Sequence, residues 1–497
     1  MTVCRAVSGN PIFCGIAVSG AVRRFALCLR HASGRVCFIG LWLFCLALVT
    51  GCAVDKKNFA SPIDLPETFS RPGDATTPDQ WWQSLDDPNL ERLIALALRR
   101  NLDLLATFNR LEQSRAVAVK AGSELVPQVN GVANANGALG DRTAHSLLGD
   151  FSTAFTASYE LDLWGRIRSG LKAAELDIAA AEMDTYSAAI SLTAEIASVW
   201  YQWVEQQQLL RLLNAQIETN KQYVALVQQR FRAGIATPAD VFQQKQLLEG
   251  VFGDRYSIQA QIDVLHNRLA ILCGVTPDQL TLDEPEAFPE LTELPKTGSV
   301  SELIARRPDI RKSYYRLQAA DLRIAAAVAD RLPKISLSAS LDTRSPDLSG
   351  LFNNWLGTLA GNILLPLIDG GRRVAEVERN EALTREALND YGQTILIAIN
   401  EVENALAREI RQHLRLASLK TQLSYLTDAN MNIAQRSAYG AFDFLRILST
   451  LNSLQAMQRS LVRAQRELIA FRIDLYRALA GAWPLPQAQR MGAAAHG

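Results

Sequence analysis

Few of the side chains that could carry covalent or metal chemistry stand at a useful spacing. The five histidines, His31, His145, His266, His413 and His496, form no HExxH motif and no pair at ligand spacing. Neither a GxSxG elbow nor a P-loop occurs, so hydrolase and nucleotide chemistry find no residues. Of the seven cysteines, Cys4, Cys14, Cys28, Cys37, Cys45 and Cys52 fall in the first 52 residues, and only Cys273 lies beyond them. That excludes a disulfide framework in the body of the chain. Met1, Met183, Met431, Met457 and Met491 make no cluster of soft ligands. Carboxylates scattered along helical stretches read as solvated faces, and the sequence points away from an enzyme, with no metal and no cofactor expected.

The remaining chemistry is at Cys52. The run VCFIGLWLFCLALVTGC, residues 36–52, follows Arg23, Arg24, Arg30 and Arg35, which is the positive flank and short apolar core of a secretory signal. It is short for a transmembrane helix. Its end, Leu48-Val49-Thr50-Gly51-Cys52, resembles the lipobox of bacterial lipoproteins. That resemblance implies an S-diacylglycerol and an N-acyl chain on Cys52 as the mature N-terminus; an uncleaved anchor is the alternative. Ala53, where an Asp would imply inner-membrane retention, favours the outer membrane. The region ahead of the apolar run is long for a signal, and a start near Val22 or Val36 would shorten it. Residues 1–51 are thus expected to be a signal region, and 52–80 an extended segment punctuated by Pro62, Pro66, Pro72 and Pro78.

With 48% hydrophobic and 21% charged residues the chain has a folded composition, and its formal net charge of +0 gives no general attraction to nucleic acid. Elements of two periods must place whatever function it has. In FTASYELDLWGRIRSG, Phe155, Ala157, Tyr159, Leu161 and Leu163 alternate with Thr156, Ser158, Glu160 and Asp162, the pattern of a strand wet on one face. From Leu171 to Ala233 there is neither Gly nor Pro, and the stretch reads as one helix. At about 1.5 Å per residue it would reach roughly 95 Å. Glu175, Asp177, Glu182, Asp184, Glu195 and Glu205 make it too polar to span lipid, while Ile190, Ala194, Ala197, Tyr201 and Val204 trace a coiled-coil seam. Arg372 to Tyr439 supplies a second long helix, interrupted only by Gly392.

The chain repeats itself at one offset. Pro127 and Pro333 lie 206 residues apart, as do Arg100 and Arg306, Asp103 and Asp309, Gly165 and Gly371, Arg230 and Arg436, and Gly234 and Gly440. Four separate regions holding one spacing imply an internal two-fold repeat, 81–275 and 301–483, joined by a Pro-rich linker, 276–300, and followed by a disordered tail, 484–497. Each repeat contributes two strands, about Gln128–Ala138 and Phe151–Leu163 in the first, Lys334–Asp342 and Trp355–Ile368 in the second. Four strands cannot close a barrel, and open edges are excluded from lipid. Three copies would supply twelve.

The segments WWQSLDDPNLERLIALALRRNLDL (81–104), YELDLWGRIRSG, RRPDIR, GNILLPLIDGGRR and ALAGAW resemble, in order and spacing, the outer-membrane factors of tripartite efflux pumps. They are of the TolC and OprM type, in the lipoprotein branch labelled NodT. The resemblance implies a mainly α homotrimer, with four strands per protomer in a shared twelve-stranded barrel and long coiled-coil helices forming a tunnel into the periplasm. It implies a passive exit duct, lipid-anchored and spanning the outer membrane, fed by an inner-membrane transporter through a periplasmic adaptor. A periplasmic coiled-coil scaffold or adaptor without a pore is the alternative that long helices alone would permit.

In that family the periplasmic aperture is built from the turns after the repeat glycines, here Gly234 to Asp240 and Gly440 to Asn452. The implied constriction residues are Phe442, Leu445, Arg446, Ser449 and Asn452, with Asp240 in a lock between neighbouring helices. The chain departs from the family at Arg446 and Ser449, where acids are common. Arg446 is read either as the partner of Asp240 and an anion-favouring ring, or as a solvated surface arginine. In the barrel, Ser158, Glu160, Asp162, Ser336, Ser338 and Asp342 are expected to face water and Phe155, Tyr159 and Leu337 lipid, with Trp355 in an interfacial belt or an ordinary core. The substrate is open: drug, solvent, metal or metabolite.

Overall fold

The computed structural model describes residues 59–73, 75, 80–138, 148–283, 287–291, 293–438, 444–479, 481 and 485. The signal region and Cys52 lie outside them. Among the described residues the order is α1 (Pro88–Arg100), α2 (Leu102–Ser123), β1 (Gln128–Ala138), β2 (Leu148–Leu161), α3 (Arg166–Arg232) and α4 (Pro238–Leu272). Then come α5 (Val300–Arg306), α6 (Pro308–Ala329), β3 (Lys334–Ser345), β4 (Trp355–Leu364), α7 (Arg372–Ala438) and α8 (Phe444–Leu479). The starts of α6, β3, α7 and α8 each follow those of α2, β1, α3 and α4 by 206 residues.

Helices α3 and α7 each have 67 residues, which is about 100 Å at the α-helical rise. Helix α3 starts five residues earlier than its composition suggests, because a local cap reaches back into the strand. Gly165 sits in the left-handed region at φ 75°, and the Asp162 carboxylate accepts from the backbone N–H of Ile167 at 3.1 Å and of Arg168 at 2.9 Å. Asp162, expected to face water from the strand, instead lies beyond it: strand β2 ends at Leu161, and the Asp162 side chain is buried in this cap. Gly371, at φ 84°, opens α7 in the same backbone conformation.

Helices α3 and α4 form one antiparallel hairpin and α7 and α8 another. Helix α3 also packs on α2, α6 and α8. Its seam residues Ile190, Ala194, Ala197, Tyr201 and Val204 are all buried, so the alternating spacing of four and three marks real packing. The core around them contains Trp81, Trp82, Leu90, Leu93 and Trp200. Asp87 organises this region: Oδ1 caps α1 by accepting from the N–H of Asn89 at 3.0 Å and Leu90 at 3.1 Å. Its Oδ2 accepts from Trp200 Nε1 at 2.7 Å and Tyr201 Oη at 3.2 Å. Burial and this carboxylate raise the Tyr201 phenol above its usual range.

All four strands make one antiparallel sheet in the order β1-β2-β3-β4. The expected boundaries shift. Strand β2 begins at Leu148, β3 runs on to Ser345, and β4 stops at Leu364, two residues before Pro366, which offers no N–H to a ladder. Register aligns the faces across the sheet: Tyr159 pairs with Leu337, Phe155 with Leu341, and Ile335 with Ile363. One face thus carries Val129, Phe155, Tyr159, Leu337, Leu359 and Ile363, and the other Asn130, Asn134, Thr156, Ser158, Ser338 and Asn362. On the polar face Asn134 Nδ2 donates to Ser152 Oγ at 3.4 Å and Asn362 Nδ2 to Ser338 Oγ at 3.1 Å. Val132 and Leu356 interrupt it. Leu359 and Ile363 are 82% and 73% exposed, and Trp355 lies on the same apolar face, exposed rather than in a core.

Around the helices' midsection the N-terminal segment pairs with the linker, Thr68 with Ser299 and Ala75 with Pro295. Ser70 N–H donates to Glu403 Oε1 of α7 at 2.8 Å. Gly392 does not interrupt α7. It gives room to Pro62, whose Cγ lies 2.6 Å from where a β-carbon would stand. Leu485, in the stretch expected to be a disordered tail, is buried in the main core, and the rest of that tail beyond it lies outside the described residues. No described helix is long and apolar enough to cross a membrane.

Candidate channel aperture

The ends of the two helical hairpins, far from the sheet, hold the residues singled out in the sequence. Helix α3 stops because Gly234 adopts φ 74° and turns the chain: its N–H donates to Phe231 O at 2.9 Å, and that of Ile235 to Arg230 O at 2.9 Å. These two bonds satisfy the last carbonyls of the helix, and a residue with a β-carbon would be strained there. Helix α4 then starts on a capping box. Thr237 Oγ1 accepts from Asp240 N–H at 3.3 Å, while Asp240 Oδ2 accepts from Thr237 N–H at 2.7 Å and Thr237 Oγ1 at 2.8 Å. Asp240, the expected lock acid, thus holds its own helix start.

In the second hairpin, Gly440 and Phe442 lie outside the described residues, as does the side chain of Leu445. Arg446 stands 206 residues after Asp240, at the third position of α8, and is exposed. Ile447, Leu448 and Leu451 turn inward, while Ser449 is exposed and Asn452 half-buried. The Arg446 carbonyl accepts from Ser449 Oγ at 3.1 Å and Thr450 Oγ1 at 2.9 Å. Among the described residues the first turn of α8 holds no acid, and Arg446 stands there where Asp240 stands in α4.

Behind both tips runs a buried set of amides that sequence reasoning missed. Gln216 and Asn220 on α3, Gln244 on α4 and Gln455 on α8 are all nearly inaccessible. Gln244 Nε2 donates to Asn220 Oδ1 at 3.1 Å, and Asn220 Nδ2 to Gln455 Oε1 at 3.2 Å. Gln216 Nε2 donates to Gln455 O at 3.2 Å and Gln458 Oε1 at 3.1 Å, and Arg459 Nη1 donates to Gln216 Oε1 at 2.7 Å. Gln244 Oε1 and Gln455 Nε2 have no partner. The signal was present as two amides four residues apart among Leu209, Leu213 and Ile217, polar groups in an apolar seam.

Nearer the sheet the linkage becomes ionic. Arg466 Nε donates to Glu205 Oε2 at 2.9 Å, and Arg472 Nε to Glu409 Oε1 at 2.8 Å, both joining α8 to a long helix. Burial raises the Glu205 carboxyl above its ordinary value, against the opposing pull of Arg466 and Arg463. The contacts that join α8 to the α3–α4 pair near this hairpin end are thus polar, and become ionic toward the sheet.

Residues 93–274 and 299–481 match the sequence profile of the outer membrane efflux protein family. The chain belongs to that family. It is 29% identical over 471 residues to the pyoverdine export outer membrane protein OpmQ of Pseudomonas aeruginosa, covering 90% of this chain and 98% of that one. It is 29% identical over 474 residues to the toluene efflux pump outer membrane protein TtgI of Pseudomonas putida, covering 90% and 99%. The outer-membrane channel OprN superposes with a TM-score of 0.78 at 28% identity, covering 86% of this chain and 99% of that chain. The protein is the outer-membrane channel of a tripartite efflux system, with the mostly helical tunnel fold of that family. An efflux channel needs a conducting wall and a gate, and the two-faced sheet and the hairpin tips are the elements suited to them.

Proposed function

We propose that three copies assemble into a passive exit duct whose twelve strands, four from each copy, close one barrel in the outer membrane. The carrying observation is the sheet itself. Its strands keep mostly apolar side chains on one face and mostly polar side chains on the other across the register, yet β1 and β4 are its edges. A sheet with open edges is not stable in lipid, and joining β4 to β1 of another copy removes every edge. Ser158, Glu160, Ser336, Ser338 and Asp342 then line the water-filled side, while Phe155, Tyr159, Leu337 and Trp355 meet lipid and its interface.

The 206-residue spacing of element starts supports an internal duplication, with the linker of 276–300 between the halves. Helices α3, α4, α7 and α8 continue as a tunnel on the periplasmic side, where an adaptor and an inner-membrane transporter engage it. Cys52 carries the lipid, giving an anchor besides the barrel. The chain does no chemistry of its own and needs no cofactor; energy and most substrate choice belong to the transporter. Relatives named for pyoverdine export and for toluene efflux differ in cargo, so the cargo of this duct is decided by its partners.

At the aperture Arg446 is the selecting residue. Three copies would set three guanidinium groups beside three helix N-termini, a mouth that favours anions and has Asp240 within the same tip region as a locking partner. Ser449 and Asn452 complete the constriction, with Leu445 and Phe442 beside them. Single-channel conductance of the purified, lipidated trimer in a planar bilayer tests this. Wild type should give small, mostly shut, anion-selective events, and Arg446→Ser larger events with weaker anion preference. Identical conductance and selectivity in both would remove Arg446 from the gate, and no conductance from a verified trimer would overturn the duct.

A further inference from the structure

At the end of the sheet away from the helices, residues 346–354 join β3 to β4, and they fold to one side of the wall. Odd-numbered side chains of β3 share the apolar face with Leu337 and Leu341, and even-numbered ones share the polar face with Ser338. Thr343 and Ser345 are the last two of the strand on the apolar face, and both are buried. The turn itself covers them: Thr343 Oγ1 donates to Leu351 O, and the Asp347 N–H donates to Ser345 Oγ at 3.2 Å. Gly350 comes so near that a β-carbon there would stand 2.6 Å from Ser345 Oγ. Arg344, between them on the polar face, stays exposed. The turn is thus folded down over the apolar face.

Leu351 is buried beneath this turn, whereas Leu348 and Phe352 remain 65% and 64% exposed. They are large apolar side chains in a connection, PDLSGLFNN, whose other exposed residues are polar or small. They also continue a surface that already exists. The Phe352 ring lies 6.2 Å from that of Trp355, and Trp355 shares its face of β4 with Leu359 and Ile363. The distance from Ile363 to Trp355 is about 27 Å along a strand, or about 21 Å of membrane depth at a strand tilt of about 40°. The apolar band of an outer-membrane barrel is about 25 Å tall, so the turn lies at its outer limit. Its backbone suits a place poor in water, because the N–H groups of Gly350, Leu351 and Asn353 donate to Asp347 O, Leu348 O and Gly350 O at 3.2, 3.4 and 3.1 Å.

We propose that the β3–β4 turn is a lipid-contacting element: Leu348 and Phe352 enter the outer leaflet beside the barrel, where acyl chains meet head groups, and the turn does not hang over the pore mouth. This rests on the barrel reading and adds which side of the wall the turn occupies. The occupant is lipid because the patch is continuous with the sheet face that meets lipid in that reading, and because the contacts that hold the turn in place are all made to that face. A turn closing the mouth would have to bond to the polar face instead, on the side of Arg344 and Asp342. Repeated in each copy, the two side chains fix the depth at which the barrel sits, since raising it would expose them to water and lowering it would draw Asp347 into the acyl region.

Site-specific fluorescence quenching tests the proposal on the full lipoprotein in vesicles of phosphatidylethanolamine and phosphatidylglycerol. Leu348→Cys, Phe352→Cys, Arg344→Cys and Leu359→Cys are made singly and labelled with the fluorophore NBD. All four positions are exposed, Cys273 is buried, and the unsubstituted protein measures background labelling. The probe of lipid contact is a nitroxide-bearing lipid, and Leu359, 82% exposed on the apolar face, sets the reference. Labels at Leu348 and Phe352 should be quenched at least about half as strongly as the label at Leu359, and the label at Arg344 less than about half as strongly. Weaker quenching at either turn position, or stronger quenching at Arg344, would overturn the placement of the turn while leaving the barrel standing. No quenching at Leu359 would overturn the barrel reading, and the placement of the turn with it.

Discussion

Replacing Gln216 by leucine should loosen the aperture in a way that can be estimated in advance. The substitution removes the acceptor that Arg459 Nη1 reaches at 2.7 Å and the donor that Gln216 Nε2 shares between Gln455 O and Gln458 Oε1 at 3.2 and 3.1 Å. A bond to a charged group contributes about 1.5–3 kcal/mol and a neutral one about 1 kcal/mol, so the loss between α3 and α8 is about 2.5–4 kcal/mol. If those bonds exist only while α8 lies against α3 in the shut tip, the shut-to-open ratio falls by roughly two to three powers of ten, at 1.4 kcal/mol per tenfold. Open probability in a planar bilayer measures this directly, and thermal unfolding of the same sample separates it from simple destabilisation. A lower Tm with wild-type open probability would refute the reasoning, because it would mean that the amide ladder persists when the tip opens.

The pH dependence of α3–α8 packing should follow Glu205. Its carboxyl is raised in the folded protein, so the stability it contributes is complete below the unfolded value and is lost as pH rises through the folded one. Wild type should therefore lose more Tm between pH 5 and pH 8 than Glu205→Gln, and a constant difference between the two across that range would contradict the assignment. Gly392→Ala sets two effects against each other. Alanine favours a helix interior by about 1 kcal/mol, but its β-carbon would meet Pro62 at 2.6 Å. The expected result is an α7 of undiminished stability with the 59–75 segment lifted and cut sooner by limited proteolysis; unchanged cleavage would show that the segment tolerates the contact.

Much of this architecture was legible because its periods are long and its element starts recur at one offset of 206 residues. The helix of α3, the strand alternation around Tyr159 and the 206-residue offset each needed only local pattern. Boundaries were harder where a side chain reached across an element's end: Asp162 continues the strand's alternation in sequence but spends its carboxylate on the first turn of α3. Gly392 looked like a break because a glycine's usual effect on a helix is intrinsic, whereas its reason here is a proline brought from 330 residues away. The amide ladder was hidden for a similar cause. Glutamine and asparagine on a long helix are ordinary solvated residues unless a third helix covers them, and the partner Gln455 lies 235 residues from Asn220. Asp240 was singled out for its place in a family pattern, and its bond to Thr237 adds a local duty that the spacing Thr-Pro-Ala-Asp already encoded.

The corner where β2 passes into α3 has a mechanical consequence. Only Asp162 to Gly165 separate strand from helix, with Asp162 capping one side and Trp164 fastened to Pro333, so the helix is a stiff arm clamped at one end. An arm of about 100 Å turns angle into displacement with large gain. Moving its free end sideways by about 10 Å, one helix diameter, takes a rotation of only about 6° at the clamp. Strain of that size, shared over 67 residues, leaves every backbone hydrogen bond in place. The sheet end and the packed length of the helix can therefore stay nearly still while the tip moves, and the polar contacts that join α3 to α4 and α8 near the tip add to the resistance.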